Sequence, residues 1–212
     1  MLLTTLARAV GTAFALMILV STTATACSRS SVSGANAMIG KGGGLDAALL
    51  DRAILIELNY QRCQNGLAAL QASPNLRSIA LNHAKWMARN STVSHQSGVA
   101  GQSTLGARMS SSGVRFSAGS ENIGMVHRFQ LDGQSFKINN AASCKFSTYG
   151  GTPISAHSYA SLARYAVDLW MASSGHRRNI LDRRVSMVGS AAAVNAAAQY
   201  CGQVYLAQNF AG

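Results

Sequence analysis

The stretch "LWMASSGHRRNILDRR", residues 169–184, is where the reading of this chain turns. An apolar run ends at Trp170, breaks at Ser173-Ser174-Gly175, and presents His176 in a polar loop beside Arg177, Arg178, Arg183 and Arg184. A single histidine in such a loop is ordinarily surface decoration. Its significance therefore depends on what the rest of the chain brings to it.

Upstream of it lies the pattern of a long helix, expected from about Ser155 to Ala172, with Tyr159, Leu162, Ala163, Ala166, Leu169 and Trp170 on one stripe. Two further helices are expected. One runs from about Asp46 to Gln64, its stripe Leu50, Ala53, Ile54 and Leu58, and stops at Asn65-Gly66. The other follows "ASPN" and ends near Arg89, with Leu76, Ile79, Ala80, His83 and Met87 on one face, so that His83 reads as a core-edge histidine rather than a ligand. A short third helix is expected at Leu105–Ser110. "ENIGMV" reads as a strand, and Asp132-Gly133 as a hairpin turn that pairs Phe129 and Leu131 with Phe136 and Ile138. Two closing strands are expected at Met187–Ala193 and Val204–Phe210. Helices and late, mostly antiparallel strands alternate without βαβ order, which makes the chain an α+β layered domain.

The 212 residues suffice for one such domain plus processing segments. Residues 1–26 have the order of a secretory signal: Arg8, the apolar run "AVGTAFALMILV", then the small residues "STTATA". "ATAC" also resembles a bacterial lipobox, with Ala24 in place of the usual Leu. Either peptidase would cut before Cys27, only one would leave a lipid on it, and the sequence leaves both open. "SRSSVSGANAMIGKGGG" follows, rich in Ser and Gly and without apolar periodicity, and reads as a flexible tether over 27–44 that leads into a domain at 45–212. No later stretch is apolar for long enough to span a bilayer.

Export implies an oxidising compartment in which cysteines can pair. The preferred pair is Cys144–Cys201, joining an internal loop to the last hairpin, while Cys63 reads as a buried thiol inside the first helix. The formal charge is +11, and loss of Arg8 with the leader leaves +10. That favours anionic lipid headgroups or cell-wall polymer as neighbours. Nucleic acid is not expected: the basic residues are scattered, aromatics are few, and no helix-turn-helix, zinc-finger or RNA-binding signature occurs.

The familiar catalytic signatures HExxH, GxSxG and CxxC are absent. "GANAMIGK" has the wrong length for a phosphate loop and lacks the hydroxyl residue after Lys41. Asn90 in "NST" would be a glycosylation acceptor only in a eukaryote. Three segments at element ends remain: "STVSHQSG" with His95, "GSENIG" with Glu121, and the opening stretch with His176.

Taken in order with "LNYQRCQNGLAAL", "NHAKWMA" and "YLAQNF", these segments resemble the CAP superfamily of cysteine-rich secretory, antigen 5 and pathogenesis-related proteins and their bacterial relatives, over roughly Leu49 to Phe210. The resemblance implies an α-β-α sandwich in which His95, Glu121 and His176 face one cleft, lined also by Ser173, Arg177 and Arg178. It implies that the two histidines hold a divalent metal such as zinc, with Glu121 as a third ligand or as the group that fixes a histidine tautomer. Many relatives carry a second cleft glutamate where this chain has Ser173, so one candidate base for a hydrolase is missing. The chain also departs by an insertion at about 126–155, containing the hairpin and Cys144 and ending at His157, which reads as a capping or packing residue. The expectation is an exported envelope or extracellular binding module for an anionic or lipid ligand rather than a turnover enzyme. The rival reading is a metal- or His/Glu-dependent hydrolase of peptide or phosphoester bonds.

Overall fold

A computed structural model describes residues 27–40 and 44–212. The expected signal segment, 1–26, lies outside the described residues. The elements, in chain order, are α1 (Ala47–Gln64), β1 (Gln71–Ala72), α2 (Pro74–Asn90), α3 (Leu105–Ser111), β2 (Gly119–His127), β3 (Lys137–Asn140), β4 (Lys145–Ser147), β5 (Pro153–Ile154), α4 (Tyr159–Ala172), α5 (Ser174–Ile180), β6 (Met187–Asn195) and β7 (Gln203–Ala211).

The chain folds as the α+β sandwich expected of it. Its central sheet has the order β1-β6-β7-β2, with β1 parallel to β6 and the other pairs antiparallel. Strand β7 is buried on both faces and alternates between them, as a period of two requires. Val204, Leu206 and Phe210 meet Leu50, Ile54 and Leu58 of α1 and Leu162, Ala166 and Trp170 of α4. Tyr205 and Ala207 meet Ala80, Ala84 and Met87 of α2, while Ala211 packs with Leu76, Ile79 and Met109 of α3. The approach of α2 is close at its start. A Cβ on Gly189 would lie 2.1 Å from the Arg77 nitrogen, so only glycine fits there.

Helix starts follow local capping. The side chains of Asp46, Ser73 and Thr104 accept backbone N–H groups at the starts of α1, α2 and α3. Helix α4 begins at Tyr159, the first residue of its apolar stripe and four residues after the expected start near Ser155, because Ser158 and Ser161 form a reciprocal capping box there.

Four expectations are corrected. Residues 27–40 are not a loose tether. Ala35 and Ile39 are buried in the α1–α4 core, the Ile39 N–H donates to the His157 carbonyl, and Arg29 pairs with Glu57 at 2.6 Å. Cys63 is not a free thiol: it is bonded to Cys27, which anchors this segment to α1 and leaves no sulfur on Cys27 for a lipid thioether. The hairpin does not turn at Asp132-Gly133. Asp132 there accepts the backbone N–H of His127 at 2.8 Å and faces its Nδ1 at 2.6 Å, closing a compact turn, and the strands that pair are β3, β4 and β5 further along. The residues after Ser173 form not a loop but a second short helix, α5.

The expected bridge Cys144–Cys201 is present. It ties a small core of Leu131, Phe146 and Ile154 within the insertion to the β6–β7 turn.

Candidate functional site

Strand β2 is an edge of the central sheet, and the sequence-predicted residues gather around it. Glu121 lies on β2 on the side facing α2, with its side chain fully buried. Arg108 of α3 reaches it from below: Nη2 donates to Oε1 at 2.7 Å and to Oε2 at 2.9 Å, and also to the His95 carbonyl at 2.8 Å. The guanidinium is as buried as the carboxylate, so each charge exists there because of the other.

His95 sits in the loop after α2, its side chain 56% exposed, with Nδ1 2.8 Å from Glu121 Oε1. A carboxylate held by arginine only accepts, so Nδ1 carries the proton and donates, and in the neutral ring the lone pair is on Nε2. His83, buried on α2, holds the same loop. Its Nε2 lies 2.7 Å from the Ser94 carbonyl and therefore donates to it, and its ring stacks on Trp86. Burial lowers the His83 pKa, so the ring is neutral, a packing histidine as the sequence suggested.

His176 is fixed from the other side of β2. The Asn122 amide donates to the His176 carbonyl at 3.3 Å and to Gln208 at 3.1 Å, and Asn179 of α5 donates to Asn122 and to the Glu121 carbonyl. This buried amide chain docks α5 against the edge strand. The His176 pKa is lowered, first by burial and then by the charge that His95 would carry, so the two imidazoles lie within electrostatic reach of each other.

Beside His176, a cavity of about 230 Å³ opens between β2 and α4. Its walls are apolar, Ile123, Met125, Leu169 and Trp170 among them, and Ser173 and His176 are its polar end. Arg177 and Arg178 are not in its wall; both are exposed on α5. A larger cavity, about 540 Å³, lies at the C-terminal end of α2 and is lined by Lys85 and Arg89 with small apolar residues, with no histidine or carboxylate in its wall.

The donors that this arrangement offers a metal are two imidazoles. Both Glu121 oxygens already accept from Arg108, and among the described residues no group of three or more His, Cys, Asp or Glu side chains is disposed to hold an ion. Two nitrogens suit a borderline divalent ion that takes its remaining ligands from water or from a bound molecule, not a closed structural site. Arg108 was missed by the sequence reading. It lies thirteen residues from Glu121 on another element, and no local pattern announces such a pair.

The profile of CAP, the cysteine-rich secretory protein family, matches residues 55–210. Among solved structures, an extracellular SCP-domain protein of Bacillus anthracis is similar at 21% identity and a TM-score of 0.50, over 80% of this chain and 45% of that one. This chain thus spans less than half of the Bacillus protein's length. An outer surface protein of Borrelia burgdorferi is similar at 12% identity and a TM-score of 0.52, over 80% of this chain and 98% of that one. At these identities the likeness is one of fold. No curated protein sequence matches the chain. Among the described residues, no helix is long and apolar enough to cross a membrane.

Proposed function

The chain belongs to the CAP, or cysteine-rich secretory protein, family, and from that premise we propose that it is an exported binding module of the cell envelope or its exterior, not a turnover enzyme. Its cleft takes a divalent metal on His95 and His176 and, beside it, the apolar part of an anionic or lipid-like ligand. Two disulfides and a likeness to extracellular and outer-surface proteins support export.

The observation that carries the binding reading is the environment of Glu121. Its role is to hold the His95 ring with Nε2 outward. A bound metal would supply Lewis acidity at a ligand oxygen. The surroundings of Glu121 favour this holding role over that of a general base: it is fully buried, Arg108 holds both of its oxygens and His95 Nδ1 also binds Oε1. Ser173, half-exposed at the mouth of the cavity, offers no replacement base. Binding energy comes instead from the apolar wall between β2 and α4, with the imidazoles and the overall positive charge selecting the head of the ligand.

The test is calorimetric titration of the disulfide-bonded protein with Zn²⁺, alongside His95→Ala and His176→Ala. One equivalent of binding, lost in each variant, is the expected result. An absence of binding by the folded wild type, or retention in either variant, overturns the metal site.

A further inference from the structure

Strand β2 carries a second histidine, His127, at its last position and outside the wall of the cleft just described. The Asp132 carboxylate grips it twice: Oδ2 accepts the His127 backbone N–H at 2.8 Å, and Oδ1 lies 2.6 Å from Nδ1. Nδ1 therefore carries the proton and donates, and in the neutral ring the lone pair is on Nε2. The side chain is 21% exposed. Among the described residues Nε2 has no hydrogen-bond partner, and it is not one of the polar atoms sealed from solvent, as His157 Nε2 is. Tyr200 lies against the ring, centroids 5.6 Å apart, and restricts its tilt.

Met125 stands beside it. The register of β2 on β7 is unbroken from Gly119 to His127, so side chains alternate and Met125 and His127 share one face, about 7 Å apart along the strand. Strand β2 is an edge, and α2 packs over β6 and β7 instead. Met125 is accordingly 37% exposed, although methionine is among the residue types most often buried. Its side chain is unbranched and flexible, long enough to share an ion with the ring two residues on.

The pair of donors decides the ion. A thioether is a soft, neutral ligand that selects copper(I), whereas calcium and magnesium require oxygen. Zinc ordinarily takes nitrogen, thiolate or carboxylate, and imidazole suits both zinc and copper. Both Asp132 oxygens are engaged with His127, so the ion meets neutral donors only. A carboxylate behind the ring is the usual companion of a metal-bound histidine, where it fixes the tautomer and raises the basicity of the other nitrogen.

We propose that Met125 Sδ and His127 Nε2 bind a soft monovalent cation, copper(I), which draws any further ligand from water or a small molecule. The site uses neither His95 nor His176. Met125 also borders the apolar cavity beside His176, so its test replacement is leucine, which keeps that wall apolar.

The experiment titrates silver nitrate, a redox-inert stand-in for copper(I), into the full disulfide-bonded protein in chloride-free buffer. Methionine methyl groups carry ¹³C and histidine rings ¹⁵N, and Met125 and His127 are assigned through Met125→Leu and His127→Gln. The expected result is a joint shift of the Met125 methyl and the His127 ring that saturates at one equivalent. The methyl of Met38, an exposed thioether before α1, should stay in place until silver is in excess. In Met125→Leu the His127 ring should no longer saturate at one equivalent. Zinc, the ion proposed for the cleft, should leave both groups unmoved. The proposal is overturned if the two groups do not move together, or if Met38 shifts at the same silver concentration. It is equally overturned if Met125→Leu leaves the His127 titration unchanged, or if zinc shifts that ring as strongly as silver.

Discussion

Glu121 Oε1 accepts from His95 Nδ1 at 2.8 Å, and the same carboxylate is held by a fully buried Arg108. The ion pair is the foundation of the site and the histidine its working end. The pair's burial fixes the carboxylate, the carboxylate holds the proton on His95 Nδ1, and the proposed metal site uses the Nε2 of that ring.

Glu121→Gln should therefore do two separate things. It leaves the Arg108 charge buried without a counter-ion, which costs about 3 kcal/mol or more of stability. It also loosens the His95 ring, weakening Zn²⁺ binding by about 10- to 100-fold. His95→Ala, at a half-exposed position, should abolish metal binding with a stability change under about 1 kcal/mol. Chemical denaturation and calorimetry of both variants check this; a Glu121→Gln protein as stable as wild type would contradict the buried pair.

The two cystine bridges close segments separated by 36 and 57 residues. In the chain-entropy account each contributes about 4 kcal/mol. Paired replacement of Cys27 and Cys63 by Ala should lower stability on that scale and release residues 27–40 from α1, raising their hydrogen-exchange rates. Non-reducing peptide mapping should yield Cys27–Cys63 and Cys144–Cys201. A diacylglyceryl group on Cys27 with a free Cys63 thiol would refute the first bridge.

How stability responds to pH follows from two buried groups of opposite sign. Burial raises the Asp51 pKa from 3.8 to about 6, against the Ser190 N–H and Arg77, and lowers that of His157 from 6.5 to about 4. At His157 the unfolded chain takes the proton first, so stability is lost as pH falls from about 6.5 through 4. At Asp51 the folded protein keeps the proton longer, so stability is lost as pH rises from about 3.8 through 6. Each full swing is worth about 3 kcal/mol, and between pH 4 and 6 the two largely cancel. Urea unfolding across that window should be nearly flat for wild type. In Asp51→Asn it should fall steeply toward acid, and a parallel pair of curves would contradict the assignment.

The long elements were legible because their signals are local. Asp46, Ser73 and the apolar stripes of α1, α2 and α4 state their own helices, and β6 and β7 are short, mostly apolar runs of the kind buried strands have. What stayed hidden depends on partners distant in sequence. Residues 27–40 look like a tether until Cys63 and the α1–α4 core are known to receive them. Asp132-Gly133 is a sound hairpin signal that loses to the capture of His127 by Asp132. Helix α5 reads as a loop because Ser173-Ser174-Gly175 looks like a turn, although Ser173 alone separates it from α4; Asn122 and Asn179 dock it against β2. In the site, the histidines and Glu121 were legible as segments, whereas Arg108, which determines what Glu121 can do, was not.

Ser173 gives a way to strengthen the cleft. It caps α5 without a side-chain hydrogen bond and lines the same cavity as His176, one helical turn away. Ser173→Glu adds an oxygen donor there and should tighten Zn²⁺ binding at least about ten-fold, since three protein ligands are the usual minimum for a lasting zinc site. Unchanged affinity in a folded variant would mean that the position does not face the metal.

The most direct test is a crystal structure of the protein soaked with Zn²⁺ and read by anomalous scattering at the zinc edge. The account predicts one peak about 2.0–2.1 Å from His95 Nε2 and from a ring nitrogen of His176, with Glu121 still paired to Arg108. A peak on the Glu121 carboxylate, or none between the two imidazoles, would contradict it.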